Sequence, residues 1–294
     1  TVQTNAVLIN QTWLEVFERH RIYVGISVDG PKAQHDANRI DRRGRGTFDS
    51  MVPKIAAVKQ AVTDGRLPGL GSICVVSAES DAHATYKCLT QELGLSELRF
   101  LFPDDTHDSM NPLYAGKFEK FAGDLFDCWE ADDSSSIRIK HIDHTLQAIL
   151  RDNLDTSGGR ATEDVAFTVS SGGDLGHDDT LRNAVPDKFN SGMCVTDTTF
   201  SEFIAWYTRI SKALVSQSPA PACASCTWSN ICEHATRGET PLYRMKNGIA
   251  DQASIYCEAL KMTYLKSATY LAKRGVPIHR ISRNMIATDL SRAL

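Results

Sequence analysis

The N-terminal half of this sequence alternates between apolar runs and helical patterns, and this alternation constrains the fold more than any other feature. Four apolar runs follow one another along the first 103 residues, each followed by a helical pattern. They are residues 2–5, "YVGISVDG", "GSICVVSA" and "SELRFLFP". Strands covered on both faces are continuously apolar, as the run "ICVV" within "GSICVVSA" is. The sequence therefore predicts a parallel α/β fold, either part of a barrel or a doubly wound sheet.

Capping and breaking residues predict where the elements end. Thr47 is an expected N-cap for "TFDSMVPKIAAVKQAV", and Gly94 an expected helix terminator. Polar and glycine residues at 151–162 predict a domain boundary. Beyond it, "DVAFTVSSGGDLG" is typical of a strand entering a turn, "TTFSEFIAWYTRISKAL" of an amphipathic helix, and residues 254–274 of a long closing helix.

Composition excludes several classes of protein. The 294 residues carry a net charge of −4, which favours no nucleic-acid partner. No apolar run approaches the roughly 18 residues of a membrane span, and no signal peptide opens the sequence. We therefore expect a cytoplasmic protein without a membrane partner. The sequence starts at Thr1 rather than at Met, so we expect it to be part of a longer protein.

Four of the eight cysteines form a pattern. Cys223, Cys226 and Cys232 are spaced C-x2-C-x5-C, and Cys257 follows. Four converging thiolates suit zinc or an iron–sulfur cluster, and the spacing does not separate the two. Uninvolved thiols and disulfides are the alternatives. His234 is expected to be a solvated loop residue rather than a ligand, and Cys74, in "ICVV", to be a core residue.

With this loop in view, the sequence resembles radical S-adenosylmethionine (SAM) enzymes with a C-terminal SPASM domain, a group that contains anaerobic sulfatase-maturating enzymes and maturases of ribosomal peptides. The matching stretches are "QTNAVLI", "VGISVDGPKAQHDANRIDRRGRGTFD", "SGGDLGHDD" and the cysteine loop. The resemblance implies the C-terminal half of a partial (β/α)6 barrel over residues 1–155, made of the third to sixth strand–helix units. A small α+β SPASM-type iron–sulfur domain would follow over residues 156–294.

The resemblance also implies a SAM site at the barrel rim. Ser27 and Arg39 would contact the carboxylate end of SAM, which suits a hydroxyl and a permanently charged guanidinium. The implied rim and adenine contacts are Gln3, Thr4, Asn5 and Leu101. Two plainer interpretations stay open: Asp29 as part of a strand-ending turn, and Arg39 as a surface salt bridge.

Two departures from the family pattern bear on the cofactors. The C-x3-C-x2-C motif of the SAM-cleaving cluster is absent from the 294 residues, and we expect it, with the first strand–helix units, upstream of Thr1. In the SPASM region, Thr236 and Asp178 stand where the family commonly has cysteine. Both departures affect one auxiliary cluster, whereas Cys223, Cys226, Cys232 and Cys257 would ligate the other, a [4Fe–4S] cluster.

The implied activity is that of a radical SAM enzyme. The full-length protein would cleave SAM at a second [4Fe–4S] cluster and modify a peptide or protein, with flavodoxin or ferredoxin as the reducing partner. A peptide maturase is favoured; the alternatives are an anaerobic sulfatase-maturating enzyme and a non-catalytic peptide-binding module whose four cysteines hold a structural cluster or zinc. No catalytic residue is assigned, and Asp174, Asp178 and Asp179 are candidate bases by location only.

Overall fold

The computed structural model describes residues 1–151, 166–214, 220–232 and 241–285. The chain divides into two compact units. The first comprises Thr1–Pro103, Gly116–Gln147 and Met262–Tyr270, and the second Asp104–Ala115, Ala148–Lys261 and Leu271–Leu294. The domain boundary predicted at residue 155 lies outside the described residues, as does His234.

A five-stranded parallel sheet forms the centre of the first unit. Its strands are β1 (Val2–Thr4), β2 (Val24–Ser27), β3 (Leu70–Val75), β4 (Glu97–Leu101) and β5 (Arg138–Ile139). They pair in the order β1-β2-β3-β4-β5, every pair parallel. A doubly wound sheet reverses its strand order at a switch point, whereas consecutive strands of a barrel wall do not. The predicted α/β barrel segment is therefore confirmed, and the doubly wound alternative is wrong.

Amphipathic helices connect these strands or, in the case of the last one, follow the sheet. They are α1 (Gln11–Arg19), α2 (Lys32–Asn38), α3 (Phe48–Thr63), α4 (Ala82–Lys87), α5 (Ala115–Asp132) and α6 (Lys140–Leu150). In α3, Met51, Ile55 and Val58 are buried at helical spacing. A π-helical turn, Cys88–Glu92, continues α4, and Gly94 with φ +63° follows it as predicted. Cys74 is buried, which confirms the expected core position.

Two features of this unit differ from the prediction. The sheet has a fifth strand, β5, whose two residues are too few to show a hydrophobic period. Thr47 precedes α3 but makes no side-chain capping bond. The amide of Phe48 donates instead to Oδ1 of Asp36, at 2.9 Å. The helix start was thus predicted correctly from Thr47, and its capping residue was not.

The second unit contains small antiparallel sheets and helices. Its strands are β6 (Thr168–Val169), β7 (Asp174–Gly176), β8 (Asn190–Cys194), β9 (Met245–Lys246) and β10 (Ile249–Ala250). Its helices include α7 (Pro186–Phe189), α8 (Phe200–Leu214) and α9 (Pro221–Ala224). Leu175, Phe203 and Trp206 form a buried core between the β6-β7-β8 sheet and α8. The amphipathic pattern that predicted α8 therefore faces a core of its own unit.

The closing helix is α10 (Cys257–Lys273), followed by the short α11 (Ile278–Ile281). It begins three residues later than predicted and ends before Gly275, whose φ is +83°. Within the described parts of the chain, no helix has the length and apolar character needed to cross a membrane.

Candidate functional site

The carboxyl ends of the parallel strands bring the residues of the predicted SAM site to one edge of the sheet. Thr4 pairs with Ile26 near the ends of β1 and β2, and Val75 pairs with Leu101 at the ends of β3 and β4. Ser27 is the last residue of β2. Ligands of α/β sheets bind at this carboxyl edge.

Gln3 and Ser27 are in direct contact at this edge. Gln3 Nε2 donates to Ser27 Oγ at 3.0 Å. Gly25 pairs with Gln3 across the two strands, and a Cβ added at Gly25 would collide with Gln3 Oε1. Glycine at this position therefore leaves space for the Gln3 side chain. Because the amide donates this bond, the Ser27 hydroxyl keeps its own proton for another acceptor.

Thr4 and Asn5 hold the turn after β1. Thr4 Oγ1 accepts from the Ala6 amide at 3.1 Å, and Asn5 Oδ1 accepts from the Val7 amide at 3.2 Å. Ala6 has φ +63°, a conformation that needs such support in a residue with a Cβ. These two side chains shape the rim through its backbone.

Arg39 is held by Asp29. Arg39 Nε donates to Asp29 Oδ2 at 2.5 Å, and Arg39 Nη2 donates to Asp29 Oδ1 at 2.9 Å. Asp29 Oδ1 also accepts from the Val75 amide at 3.0 Å, which ties it to the end of β3. The Asp29 side chain is 10% exposed and that of Arg39 26%. The salt bridge weighed for Arg39 is thus real, but it is largely buried at the sheet edge rather than a surface pair.

Two further side chains complete the surroundings of Arg39. His35 Nδ1 accepts from the Asp29 amide at 3.3 Å, and His35 Nε2 lies 3.1 Å from Thr47 Oγ1. Thr47 Oγ1 donates to the Arg39 carbonyl oxygen at 2.9 Å. Burial lowers the pKa of His35, and the positive charge of Arg39 acts in the same direction, against the opposing charge of Asp29. The imidazole is therefore neutral near pH 7.

A cavity of about 420 Å³ lies against one face of the same sheet. Its wall includes Gln3, Gly25 and Gly71 at the centre of the sheet and Arg99 and Arg138 on β4 and β5. The two glycines make room for neighbouring side chains of the cavity wall, Gly25 for Gln3 and Gly71 for Tyr23. A ligand at the rim beside Gln3 would lie next to this cavity.

The predicted cysteine ligands lie in the second unit, three of them in one compact loop. Cys223 is in α9, and its carbonyl oxygen accepts from the Cys226 amide at 3.2 Å. The Cys232 amide donates to the Trp228 carbonyl oxygen at 2.8 Å. Trp228 is buried, 8% exposed, so the loop is anchored by its indole. Successive turns thus hold the three cysteines in one short segment.

Cys257, the first residue of α10, is electrostatically coupled to this loop. Burial raises the pKa of the Cys257 thiol to about 11, and the charges of Cys232 and Cys226 contribute in the same direction. Burial likewise raises the pKa of Cys223, with contributions from Cys232 and Cys226. Cys223 and Cys257 thus each feel the charges of Cys226 and Cys232. All four are half-buried and none is in a disulfide with another described cysteine, so the disulfide alternative is wrong.

Two cations lie near these thiols. The charges of Arg244 and Lys261 oppose the rise in the pKa of Cys223. Arg244 is only 4% exposed, its Nε donates to the Gln252 carbonyl oxygen at 3.0 Å, and it forms no ion pair with a described carboxylate. A buried guanidinium needs an anionic counter-charge because it stays protonated. Four thiols beside buried positive charge fit a thiolate-ligated cluster.

The described residues contain no three His, Cys, Asp or Glu side chains arranged to hold a single metal ion. A [4Fe–4S] cluster separates its four thiolates by its own width, whereas a zinc ion draws them to one point. The iron and zinc content of the chain after anaerobic reconstitution distinguishes a cluster from a zinc ion.

The three candidate bases have distinct surroundings. Asp174 Oδ2 accepts from Ser170 Oγ at 2.8 Å within a turn. Asp178 Oδ1 accepts from the amide and hydroxyl of Thr180, at 3.0 and 2.8 Å, and so caps the short helix Asp179–Leu181. Asp179 lies near Asp104. Partial burial raises the pKa of Asp104, and the charge of Asp179 raises it further. Asp178 therefore has a structural function where the family commonly has cysteine.

Sequence reasoning missed His35, Thr47 and Arg244 as members of these sites. His35 and Thr47 lie inside the stretch "VGISVDGPKAQHDANRIDRRGRGTFD", so the resemblance of that stretch could have pointed to them. No pattern in the sequence indicated Arg244, because it lies outside the cysteine loop and comes near Cys223 only in the folded chain.

No protein-family model matches the chain. Its relatives include the cysteine-type anaerobic sulfatase-maturating enzyme of Clostridium novyi (strain NT), 26% identical over 93% of this chain and 73% of that protein. The protein of the same description from Clostridium perfringens (strain ATCC 13124) is 26% identical over 89% of this chain and 70% of that protein.

Solved structures of a sulfatase-maturating enzyme share the fold. The structure described as native anSMEcpe with bound AdoMet and Cp18Cys peptide superposes with a TM-score of 0.71 at 23% identity, covering 96% of this chain and 75% of that one. The histidine-tagged protein with bound AdoMet gives 0.72 at 24% identity, covering 99% and 74%. The chain is thus similar over about nine-tenths of its length to anaerobic sulfatase-maturating enzymes and shares the fold of their solved structures.

Proposed function

We propose that this chain is the C-terminal portion of a radical SAM enzyme that modifies a peptide or protein. It binds SAM at the carboxyl edge of the first unit and one auxiliary [4Fe–4S] cluster at the four cysteines of the second. The observation that carries the proposal is the partly exposed guanidinium of Arg39, held by Asp29 at the sheet edge where Ser27 ends β2. A guanidinium and a hydroxyl at one edge are donors suited to a carboxylate ligand.

The chain's own residues bind and orient the ligand. Arg39 and Ser27 donate hydrogen bonds to the carboxylate of SAM, Gln3 fixes the Ser27 hydroxyl, and Leu101 supplies apolar surface for the adenine. SAM supplies the radical chemistry when it is bound at an iron–sulfur cluster, and the protein supplies position and exclusion of water. The C-x3-C-x2-C motif for that cluster is absent from the 294 residues, so we expect this chain alone to release no 5′-deoxyadenosine from SAM.

The auxiliary cluster would use Cys223, Cys226, Cys232 and Cys257. With all four irons bound to protein, it has no open coordination position for a substrate. Electron transfer and stiffening of the second unit are the functions that remain. The buried Trp228 limits the access of water, and the charge of Arg244 offsets the negative charge of the cluster.

Anaerobic reconstitution of the chain with iron and sulfide tests the cluster. We expect about four irons per chain and a visible sulfur-to-iron charge-transfer band. Cys226→Ser should abolish both. Cys194→Ser is the matched control, because Cys194 is also a free, half-buried cysteine of the second unit, and this variant should retain the full iron content. One tightly bound zinc without visible colour would establish the structural zinc alternative and overturn the cluster.

The sulfatase-maturating activity is a second candidate. It is favoured because the two Clostridium relatives, both described as cysteine-type maturating enzymes, match about nine-tenths of this chain. The measurement is an anaerobic titration of the reconstituted chain with a cysteine-containing sulfatase peptide and with the same peptide in which alanine replaces that cysteine. Selective binding of the cysteine peptide supports a sulfatase substrate. Equal binding of both favours another peptide substrate or a peptide-binding module.

The proposal extends to partners and compartment. A flavodoxin- or ferredoxin-like reductant would supply electrons, and the eight cysteines, all of them described, form no disulfide with one another, which fits the reducing cytoplasm.

A further inference from the structure

Arg39 and three residues around it form a closed ring of hydrogen bonds. The Asp29 amide donates to His35 Nδ1, His35 bonds to Thr47, and Thr47 donates to the Arg39 carbonyl oxygen. The guanidinium of Arg39 then donates twice to the Asp29 carboxylate, which closes the ring. The ring joins the end of β2, the helix α2 and the residue before α3.

The direction of every bond in the ring is determined. A backbone amide can only donate, so His35 Nδ1 is the acceptor and carries no proton. A neutral imidazole then carries its proton on Nε2 and donates to Thr47 Oγ1. The Thr47 hydroxyl accepts this bond and has its own proton for the Arg39 carbonyl oxygen. Each donor therefore has one acceptor.

Burial makes the ring rigid. His35 is 1% exposed, Asp29 7% and Thr47 9%. The ring of Phe48 packs edge-on against His35, with the centroids 5.6 Å apart, and restricts the imidazole further. The closed ring of hydrogen bonds thereby fixes the backbone of Arg39 through its carbonyl oxygen and the Arg39 side chain through its guanidinium.

The guanidinium is left with an edge for a ligand. Asp29 uses the Nε proton and one Nη2 proton, and a guanidinium carries five N–H donors. In the described part of the chain, Arg39 forms no second ion pair, and its side chain is 26% exposed. The remaining Nη1 and Nη2 protons present a second fork suited to a carboxylate.

We propose that His35 and Thr47 are positioning residues that aim the outer edge of Arg39 at the carboxylate of bound SAM. This inference rests on the SAM site of the proposed function. A side chain fixed before binding loses less conformational entropy when the ligand arrives. Opening the ring should therefore weaken recognition of the carboxylate and leave the contacts to the rest of SAM unchanged.

The test compares SAM with decarboxylated SAM, which lacks only the carboxylate. Anaerobic equilibrium dialysis of the reconstituted chain gives both dissociation constants for each variant. Thr47→Val removes the hydroxyl that links His35 to Arg39. We expect it to weaken SAM binding by about tenfold and to change binding of decarboxylated SAM by less than about twofold. Thr47→Ser keeps a hydroxyl and should restore SAM binding.

The control is Thr63→Val at the other end of α3, where the hydroxyl only bonds the Lys59 carbonyl oxygen. It should change neither constant. His35→Asn is a second way to open the ring, because asparagine can accept from the Asp29 amide but does not reach Thr47. It should show the same selective loss, and thermal melts establish that each variant is folded.

The outcomes separate the two proposals. If the unmodified chain binds SAM no better than decarboxylated SAM, the carboxylate site itself is wrong and the proposed SAM site fails. If the unmodified chain discriminates but folded Thr47→Val and His35→Asn discriminate equally well, the positioning function of the ring is wrong. Equal weakening of both ligands would also overturn it, because the ring would then serve only the fold.

Discussion

A single carboxylate, Asp29, connects the sheet edge to Arg39, and its energetic contribution follows from its burial. Its oxygens accept from two guanidinium nitrogens and from the Val75 amide. An exposed ion pair contributes little to stability because water and salt screen it. A largely buried one costs much more when one partner is removed, since the other charge remains without compensation.

Asp29→Asn should therefore lower the free energy of unfolding by about 2 kcal/mol, and urea titration measures it. The matched control is Asp49→Asn, which breaks the pair between Lys32 and Asp49, whose side chains are 55% and 73% exposed. That variant should change stability by less than about 0.5 kcal/mol. Equal effects of the two substitutions would show that Asp29 is screened like a surface carboxylate.

At the residue scale, sequence predicted the positions of the rim but not its bonds. The resemblance placed Ser27, Gln3 and Arg39 together, and the strand register brings the first two into contact. It left Asp29 undecided between a turn and a functional residue. A bidentate bond depends on side-chain geometry across ten residues, which no local pattern encodes.

At the element scale, the helices and longer strands were predictable because their apolar residues repeat over several turns or over a whole run. The two-residue strand β5 was missed because two residues are too few to show a repeating hydrophobic pattern. The start of α3 shows the opposite case. Thr47 indicated the correct position, yet its hydroxyl bonds Arg39 and Asp36 caps the helix, because tertiary partners compete with local capping.

Two glycines in α5 give a prediction about helix packing. A Cβ at Gly116 would meet nothing within 4 Å, whereas a Cβ at Gly123 would lie 3.3 Å from Met262 Cγ. Gly116→Ala should therefore stabilise the chain by about 0.5–1 kcal/mol through helix propensity. Gly123→Ala should stabilise it less, because the methyl group displaces the Met262 side chain.

Thermal or urea unfolding of the two alanine variants, measured side by side, tests this packing. Both variants place alanine for glycine in the same helix, and only the surroundings of the added methyl group differ. A larger gain at Gly123 than at Gly116 would show that the contact with Met262 has room for another carbon.

At the scale of the whole molecule, the alternation of strand and helix patterns and the cysteine pattern were the strongest predictors. Consecutive parallel strands without a reversal define a barrel wall, and alternating strand–helix runs already indicated it. The cysteine spacing grouped Cys257 with the loop although 24 residues separate it from Cys232, and in the folded chain the charges of Cys232 and Cys226 contribute to the raised pKa of Cys257. The charge of Arg244 beside the thiols appears only in the folded chain, because long-range electrostatics leave no trace in local sequence.

The stability of the whole chain should depend on pH through buried histidines. Burial lowers the pKa values of His35 and His177, and it lowers the pKa of His141 to about 4, with the charge of His144 contributing. His141 Nδ1 is buried and has no hydrogen-bond partner among the described residues. Protonation in the folded state would therefore place an uncompensated charge there.

The sign of the effect for His141 follows from the two pKa values. The unfolded chain takes up this proton as the pH falls below about 6.5, whereas the folded chain takes it up only near pH 4. The stabilisation that comes from keeping this imidazole neutral is thus complete above about pH 6.5. It is lost as the pH falls from about 6.5 to about 4, and the free energy of unfolding then drops by no more than about 1.4 kcal/mol per pH unit. His141→Leu should remove this part of the slope, while His83→Gln, at an exposed position, should leave it unchanged. Urea titrations from about pH 7.5 to about pH 4.5 measure the slope, and an equal slope for His141→Leu and the unmodified chain would show that this histidine titrates normally in the fold.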